Sequence, residues 1–179
     1  MTERADSMLV EQAVRGDGDS FTELCRRYYG PMVAIAHAIL GDRHLAEDAA
    51  QQAFAKAAVN LSRLRKAEQF GRWAAAICRN EARDLARMRR EVPVEEPPQS
   101  MDQAGPAADE AGEAVKKALG RLPDEARAVI YLRFHDGLSY EQISAVLGIS
   151  GQAINGRLRR AKRQLAQYLR RDGFDEVDL

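Results

Sequence analysis

The sequence lacks the patterns that mark membrane proteins and disulfide-stabilised proteins. None of its apolar stretches approaches the roughly 20 residues that a membrane-spanning helix needs, and its N-terminus has no basic start followed by an apolar run. Only two cysteines are present, Cys25 and Cys78, and neither stands in a CxxC pair or close to a histidine. We therefore predict a cytoplasmic protein with no membrane insertion and with two buried, reduced thiols. Metal ligation or a redox role is the minority alternative for these thiols.

Patterns typical of enzymes are missing as well. The histidines His37, His44 and His135 are scattered, and no metal-ligand spacing, glycine-rich phosphate loop or recognisable nucleophile setting occurs in the sequence. An enzyme is therefore the weakest functional hypothesis. No cofactor and no metal is predicted.

The composition and periodicity favour helices. Aromatic residues make up 6% of the chain, β-branched runs are short, alanine is abundant, and apolar residues recur at helical spacing. We predict an all-α fold, with a four- or five-helix bundle over residues 1–90. Breaks between helices are expected at Gly16–Asp19, at Gly30-Pro31 and at Gly41-Asp42, where Asp42 offers a cap for the next helix.

The composition changes after residue 90. Residues 91–112 combine four prolines, two glycines and acidic side chains with almost no bulky apolar residue. This segment is predicted to be a flexible acidic linker. Residues 113–171 are predicted to form a second, smaller helical domain, and residues 172–179 an acidic tail.

The second domain carries a helix-turn-helix pattern. Ser139 and Gln142 are spaced as a capping box for a helix over residues 140–147, and the turn at residues 148–150 leads into a helix from Gly151 to about Leu169. Before this motif, Val129, Ile130 and Phe134 are predicted to form an apolar stripe. The last helix is predicted to bury Ile154, Leu158, Ala161, Leu165 and Leu169 and to expose Gln152, Asn155, Arg159, Arg160 and Arg163.

The formal net charge is zero, yet the charges are segregated along the chain. Residues 63–90 are net +6, residues 154–171 carry seven basic residues and no acid, and residues 91–113 carry seven carboxylates and no base. Two basic helices with an acidic spacer indicate two contacts with nucleic acid. A solvated basic face is the alternative for either helix alone.

The basic helix predicted over residues 70–90 carries a tryptophan, an amide and several arginines. Trp73 is predicted to belong to the core with Ile77 and Leu85, since a lone tryptophan usually packs inside. Asp84 is expected to pair with neighbouring arginines. The predicted outer face, suited to phosphates and unpaired bases, consists of Arg79, Asn80, Arg83 and Arg87.

These residues carry a resemblance to a known family. The segments ELCRRYYGPM, GDRHLAEDAAQQAF and FGRWAAAICRNEARDLARMRR resemble region 2 of extracytoplasmic-function (ECF) sigma factors of the bacterial sigma-70 family, and residues 118–165 resemble region 4. The resemblance covers nearly the whole chain. It implies a sigma factor that binds core RNA polymerase, directs promoter-specific initiation of transcription and opens DNA, with no catalytic chemistry of its own.

The resemblance also implies roles for individual residues. The segment 62–70 matches the loop that captures a flipped-out base of the −10 element. For Phe54, in the segment that matches the polymerase-binding helix, core packing is the alternative role. The implied polymerase-binding residues are Glu47, Asp48, Gln51 and Phe54. The implied contacts with the −10 element are Arg63, Arg65, Arg79, Asn80, Arg83 and Arg87. The implied contacts with the −35 element are Gln152, Asn155, Gly156, Arg157, Arg159, Arg160 and Arg163.

The implied partners are core RNA polymerase, promoter DNA that is duplex at −35 and single-stranded at −10, and an anti-sigma factor. The chain departs from the family pattern at Ala58, where a tryptophan is common, and at Asn155-Gly156, where a basic residue and a serine are usual. The promoter sequence, the inducing signal and the identity of the inhibitor do not follow from the sequence. A stand-alone helix-turn-helix regulator is the alternative function, and it leaves the basic helix over residues 70–90 without a role.

Overall fold

The computed structural model describes residues 5–91 and 110–174, which form eight α-helices and no strand. The helices fall into an N-terminal unit of α1 to α4 and a C-terminal unit of α5 to α8. The all-α prediction is confirmed. The segment predicted to be a linker lies outside the described residues, except for Glu91 at the end of α4 and residues 110–112, which already belong to α5.

The N-terminal unit is a four-helix bundle. Its helices are α1 (Asp6–Val14), α2 (Gly18–Leu40), α3 (Arg43–Asn60) and α4 (Phe70–Glu91), and two 3-10 turns, Leu61–Arg63 and Ala67–Gln69, connect α3 to α4. The side chain of Asp17 accepts backbone N–H groups at the start of α2, and that of Asp42 does so at the start of α3. Each cap satisfies donors that the first turn of a helix leaves without a partner.

The break predicted at Gly30-Pro31 is wrong, because α2 runs through Pro31 without interruption. A proline inside a helix removes one backbone hydrogen bond at a cost of about 3 kcal/mol. Packing of the following half of the helix offsets this cost, since Met32 and Ile35 are buried where α2 contacts α3 and α4. Tertiary contacts therefore override the local signal.

An aromatic cluster around the fully buried Phe70 connects α2 with the start of α4. Its ring lies 5.5 Å from that of Tyr28, 6.1 Å from that of Trp73 and 6.4 Å from that of Phe21, measured between centroids. Such pairs add about 0.5–1.5 kcal/mol each beyond the area that they bury. The cluster fixes the start of α4 against α2, which carries Phe21 and Tyr28.

The C-terminal unit consists of α5 (Glu110–Gly120), α6 (Asp124–Ile130), α7 (Tyr140–Leu147) and α8 (Gly151–Arg171). Ser139 and Gln142 form the predicted capping box at α7, and Gly148 ends that helix in the left-handed conformation. Ser150 then caps α8. The helix-turn-helix prediction is confirmed.

The apolar stripe predicted for Val129, Ile130 and Phe134 holds for the first two, which are buried, but not for Phe134, which is 57% exposed. A π-helical turn, Tyr131–His135, follows α6, and its wider turn changes the register of the side chains. Leu132 takes the buried position, while the ammonium group of Lys162 lies 4.9 Å from the centroid of the Phe134 ring. The exposed Phe134 ring therefore makes a cation–π contact with Lys162 on the surface.

Candidate nucleic-acid interface

A basic cavity of about 470 Å³ opens where the loop between α3 and α4 meets the first turns of α4. Two residues predicted from the loop, Arg63 and Arg65, share its lining with Arg79, which was predicted from α4. No acidic residue lines it. The complete lining is Arg63, Leu64, Arg65, Lys66, Gln69, Arg72, Trp73, Ala76 and Arg79.

Trp73 occupies a different place from the predicted one. It is half-buried, and it contacts Phe70 while also lining the basic cavity. The prediction that assigned it to the core alone is therefore only partly right. An indole anchored by a buried ring and bordered by guanidinium groups is a surface on which an unpaired base can stack.

Lys66 and Gln69 fall in the segment 62–70 that resembles the base-capturing loop, but neither was named as a site residue, and Arg72 was not named either. The resemblance of this segment and its density of basic charge were the signals for Lys66. Arg72 lies one position before Trp73, and its place in the cavity depends on how α4 packs against the preceding loop. No local pattern distinguishes Arg72 from an ordinary exposed arginine.

The remaining predicted residues of α4 lie outside the basic cavity. Asn80 is exposed, and Arg83 lines a second cavity together with Arg79. Arg87 is exposed and its Nη2 donates to Asp84 at 3.0 Å, which confirms the ion pair expected for Asp84. Burial lowers the pKa of the Arg79 guanidinium from its usual value, and the charge of Arg83 adds to this effect. The α4 surface is thus a crowded cationic site.

The exposed face of α8 matches the prediction closely. The five residues predicted for the inner stripe are all buried, and Gln152, Asn155, Arg159, Arg160 and Arg163 are all exposed. No acidic residue occurs in α8. An amide and several guanidinium groups on the exposed face of the second helix of a helix-turn-helix suit the major groove of DNA.

Gly156 and Arg157 differ from the other predicted residues of α8 because both are partly buried. Nη2 of Arg157 lies 3.0 Å from Oε2 of Glu125, a carboxylate in the first turn of α6. Glu125 was not predicted to contact either basic helix. In the structure, Arg157 therefore faces another protein helix, whereas Arg159 and Arg160 face outward.

The four predicted polymerase-binding residues divide into two groups on α3. Asp48 and Gln51 are exposed, and Glu47 is partly buried and accepts from Arg43 Nε at 3.1 Å. Phe54 is only 8% exposed, which fits the alternative role of core packing. The exposed polar surface of α3 is thus available for contact, while Phe54 holds the helix in the bundle.

An ion pair between a buried carboxylate and a largely exposed lysine links α3 to α4. Nζ of Lys56 lies 2.6 Å from Oε1 of Glu81, and Glu81 is only 7% exposed. A buried carboxylate needs such a partner because desolvation penalises an unpaired charge. Nothing local in the sequence marks Glu81 as structural, since it is one of three acids among the nine basic residues of positions 63–90.

Residues 5–91 and 110–174 contain neither a candidate metal-binding cluster nor a candidate membrane-spanning helix. No cluster of three or more histidine, cysteine, aspartate or glutamate side chains there is arranged to hold a metal ion. None of the helices in these ranges combines the length and apolar character required to cross a membrane.

Two family models match the chain. The model described as Sigma-70 region 2 matches residues 24–92, and the model described as Sigma-70, region 4 matches residues 112–165. The first match contains α3, the basic cavity and α4. The second contains the helix-turn-helix and most of α8.

Several curated proteins are similar to this chain. The ECF RNA polymerase sigma factor SigE of Mycolicibacterium smegmatis is 31% identical over 84% of this chain, and a probable RNA polymerase sigma factor, RfaY, of Xanthomonas campestris is 31% identical over 77%. This chain spans only 62% and 39% of the lengths of these two relatives. The RNA polymerase sigma-H factor of Pseudomonas aeruginosa is 28% identical over 94% of this chain and 96% of its own length.

Two solved structures are similar over most of the chain. CnrH, in complex with the cytosolic domain of CnrY, has a TM-score of 0.65 and 29% identity, covering 95% of this chain and all of that one. The sigma factor RpoE of Bartonella quintana, in complex with the anti-sigma factor NepR, has a TM-score of 0.57 and 27% identity, covering 85% of this chain and 98% of that one. The chain therefore belongs to the sigma-70 family, in the group of extracytoplasmic-function sigma factors.

Proposed function

We propose that the protein binds core RNA polymerase through α3 and directs it to promoters by reading a duplex −35 element with α8 and a single-stranded −10 element with the basic cavity. The observation that carries this proposal is the cavity itself, where a half-buried indole lies among basic side chains with no acid in the lining. A duplex-binding regulator has no need of such a site. Single-stranded DNA requires this combination of a stacking surface and backbone-binding cations.

The chemistry of the cavity supports capture of a flipped-out base. Its volume of about 470 Å³ lies within the range of about 300–1,000 Å³ that is usual for ligand sites. Unstacking a base costs a few kcal/mol, and stacking on an aromatic side chain returns about 1–3 kcal/mol per base. Phosphate contacts from Arg63, Arg65 and Arg79 add to this gain, so DNA opening needs no ATP at this step.

The α8 face supports recognition of the −35 element in the major groove. Arginine side chains recognise guanine and asparagine recognises adenine through paired hydrogen bonds. Asn155 is exposed and stands where the family usually has a basic residue, so a preference for adenine opposite this position is expected. Arg159, Arg160 and Arg163 provide the remaining contacts with bases and phosphates.

Exposure of Asp48 and Gln51 supports α3 as the polymerase-binding helix. Ala58, the departure from the family pattern, is exposed beside Val59, which is 83% exposed. The polymerase contact at this end of α3 is therefore made by small and β-branched side chains. The solved complexes of CnrH with CnrY and of RpoE with NepR support an anti-sigma factor as a further partner. The proposed action on RNA polymerase implies that the protein works in the cytoplasm.

The experiment that tests the proposal is transcription in vitro with purified bacterial core polymerase on a library of genomic upstream fragments. Selective transcripts are expected only when the protein is present. Replacing Asp48 and Gln51 together with alanine is expected to abolish them by preventing assembly. Trp73→Ala is expected to leave polymerase binding intact but to lower DNA opening by about 5- to 150-fold, the equivalent of one stacked base.

Opening is measured by the reactivity of unpaired thymines to permanganate on the selected promoter. Glu11→Ala, an exposed carboxylate on α1, is the control for the α3 variants, and Arg15→Ala is a control for loss of charge elsewhere on the bundle. If no selective transcript forms while the protein alone retains one duplex sequence tightly, the proposal is wrong. In that case the stand-alone regulator replaces it.

A further inference from the structure

The first helix, α1, lies outside the part of the chain that matches the region 2 model. That match begins at residue 24, within α2, whereas α1 covers Asp6–Val14. Leu9 and Val10 of α1 are buried, and the helix contacts both 3-10 turns between α3 and α4. Two lining residues of the basic cavity, Arg63 and Gln69, belong to these turns. The first helix therefore supports one wall of the proposed DNA site.

Trp73, in another wall of the cavity, is connected to α1 through a chain of side-chain contacts. The hydroxyl of Tyr28 in α2 donates to Oδ2 of Asp6, the first residue of α1. The Tyr28 ring lies 5.5 Å from that of Phe70, measured between centroids. The Phe70 ring in turn lies 6.1 Å from that of Trp73. A hydrogen bond and two ring contacts thus connect Asp6 to the indole.

The Asp6 carboxylate is itself held in position by Arg27. Its Oδ1 accepts from Nη1 of Arg27 at 2.9 Å, while Nε of the same arginine donates to Glu23 at 2.9 Å. Burial raises the pKa of the Tyr28 hydroxyl above its usual value, and the hydrogen bond to Asp6 adds to this effect. The hydroxyl therefore remains a donor, and one carboxylate of α1 contacts two neighbouring residues of α2.

We propose that Asp6 is a positioning residue for the stacking surface and that it acts through Tyr28 and Phe70 to set the orientation in which Trp73 receives an unpaired base. This inference rests on the proposed function, because it adds a supporting residue to the same cavity. A binding site must be held within about 0.5 Å of its productive geometry by the packing and hydrogen bonds of the residues around it. Asp6 provides such support without touching DNA.

Close packing between α2 and α4 transmits the position of Tyr28 to the indole. The Tyr28 ring lies directly over Gly71, where a Cβ would collide with it. Phe70 and Gly71 are the first two residues of α4, and they precede Trp73 by less than one helical turn. A displaced Tyr28 ring therefore shifts the turn of α4 that carries Trp73.

The first test compares Asp6→Ala with Asp6→Asn in the full-length protein. Both variants lose the same charge, but asparagine keeps a carbonyl oxygen that accepts from the Tyr28 hydroxyl. Trp73 is the only tryptophan of the chain, so tryptophan fluorescence reports on this site alone. Quenching by acrylamide is expected to be stronger for Asp6→Ala than for the parent, because the indole loses support from Phe70. For Asp6→Asn it is expected to stay close to the parent value.

The second measurement is the affinity of the full-length protein for a random-sequence 20-nucleotide single-stranded DNA. Asp6→Ala is expected to bind it about two- to twelvefold more weakly than Asp6→Asn does, the equivalent of one hydrogen bond. Because both variants change the net charge equally, the comparison removes any general effect of charge on DNA binding. Urea unfolding defines conditions in which every variant is folded, so that unfolded protein does not account for lost binding.

Tyr28→Phe tests the same connection from its other end. It keeps the ring beside Phe70 and removes only the hydroxyl, so the core retains its shape. If Asp6 acts through this hydroxyl, the double variant of Asp6→Ala and Tyr28→Phe should lose no more affinity than either single variant. Glu23→Gln is a further control, since Glu23 pairs with Arg27 as Asp6 does but accepts from Arg26 rather than from Tyr28. It should match the parent in quenching.

The proposal needs both differences between the two Asp6 variants, so equal quenching or equal affinity would overturn it, as would additive losses in the double variant. The outcome is independent of the transcription experiment. If both readouts separate Asp6→Ala from Asp6→Asn but no selective transcripts form, the positioning role stands and the sigma-factor function fails. If transcripts form but the two variants behave alike, the function stands and the positioning role fails.

Discussion

Cys78 illustrates how burial alone determines the chemistry of a residue. The side chain is fully buried in the N-terminal bundle, and its thiol donates to the backbone carbonyl of Met32 at 3.3 Å. Burial raises the pKa of this thiol from 9.0 to about 12, while the positive charge of Arg79 opposes that rise. Cys25 is only half-buried, so the prediction of two buried thiols holds for Cys78 alone.

We expect Cys78 to be inert toward a thiol reagent in the folded protein. At pH 8, a thiol with a pKa of about 12 is ionised in about one molecule in 10,000, and the thiolate is the reactive form. In a Cys25→Ser background, the reaction with Ellman's reagent should therefore proceed only as fast as the bundle unfolds. Rapid stoichiometric reaction in native buffer would contradict this expectation.

The raised pKa of Cys78 also makes the free energy of unfolding fall at alkaline pH. Because the folded state keeps the Cys78 proton to a higher pH than the unfolded chain does, its contribution to stability is complete below about pH 9. That contribution is lost progressively as the pH rises toward 12.

At the scale of elements, α2 and α4 approach closely because Gly71 has no side chain. A Cβ at this position would lie 2.4 Å from Cε1 of Tyr28. The Tyr28 hydroxyl in turn donates to Asp6, and Asp6 pairs with Arg27 at 2.9 Å. The position of α4, and with it the basic cavity, depends on this close packing of three helices.

Gly71→Ala is expected to destabilise the protein by about 1–3 kcal/mol, because the tyrosine ring must move out of a packed core. Unfolding by urea, followed by circular dichroism, measures the effect. Gly112→Ala is the matched control, since Gly112 is exposed within α5 and a Cβ there would meet nothing within 4 Å. This control should stabilise its helix by about 0.5–1 kcal/mol. A similar gain for Gly71→Ala would show that α2 and α4 do not approach as described.

At the scale of the whole molecule, the proposed function requires the two units to separate while remaining connected. The connection of 18 residues between α4 and α5 limits how far they move apart. Deleting nine of them shortens its reach to about 30 Å. The shortened chain should still fold, because the buried hydrophobic residues described in residues 5–91 and 110–174 lie outside the deleted segment.

We expect this deletion to abolish transcription from promoters that need both elements. The measurement is the yield of selective transcripts with core polymerase. Replacing the same nine residues by glycine and serine at constant length is the control, and it should preserve transcription if reach alone matters. Full activity of the shortened chain would contradict the proposed placement of α4 and α8 at separate elements.

Much of the fold follows from the sequence because helices are local structures. The five apolar positions of α8 recur at helical spacing and are all buried, and the caps at Asp42, Ser139 and Ser150 involve partners three residues away. The exposed basic face of α8 follows from the same periodicity. Pattern and charge together therefore determine the helices, the helix-turn-helix and the two basic surfaces.

The tertiary structure alone decided which distant residues meet. The cavity that joins Arg65 to Trp73, the continuity of α2 through Pro31 and the outward turn of Phe134 all depend on packing between elements. Glu125 lies 46 residues after Arg79 in the chain, and nothing local indicates that the two share a cavity. Helical hydrogen bonds connect near neighbours, so sequence periodicity specifies each helix, but which faces pack together depends on the free energy of the whole molecule.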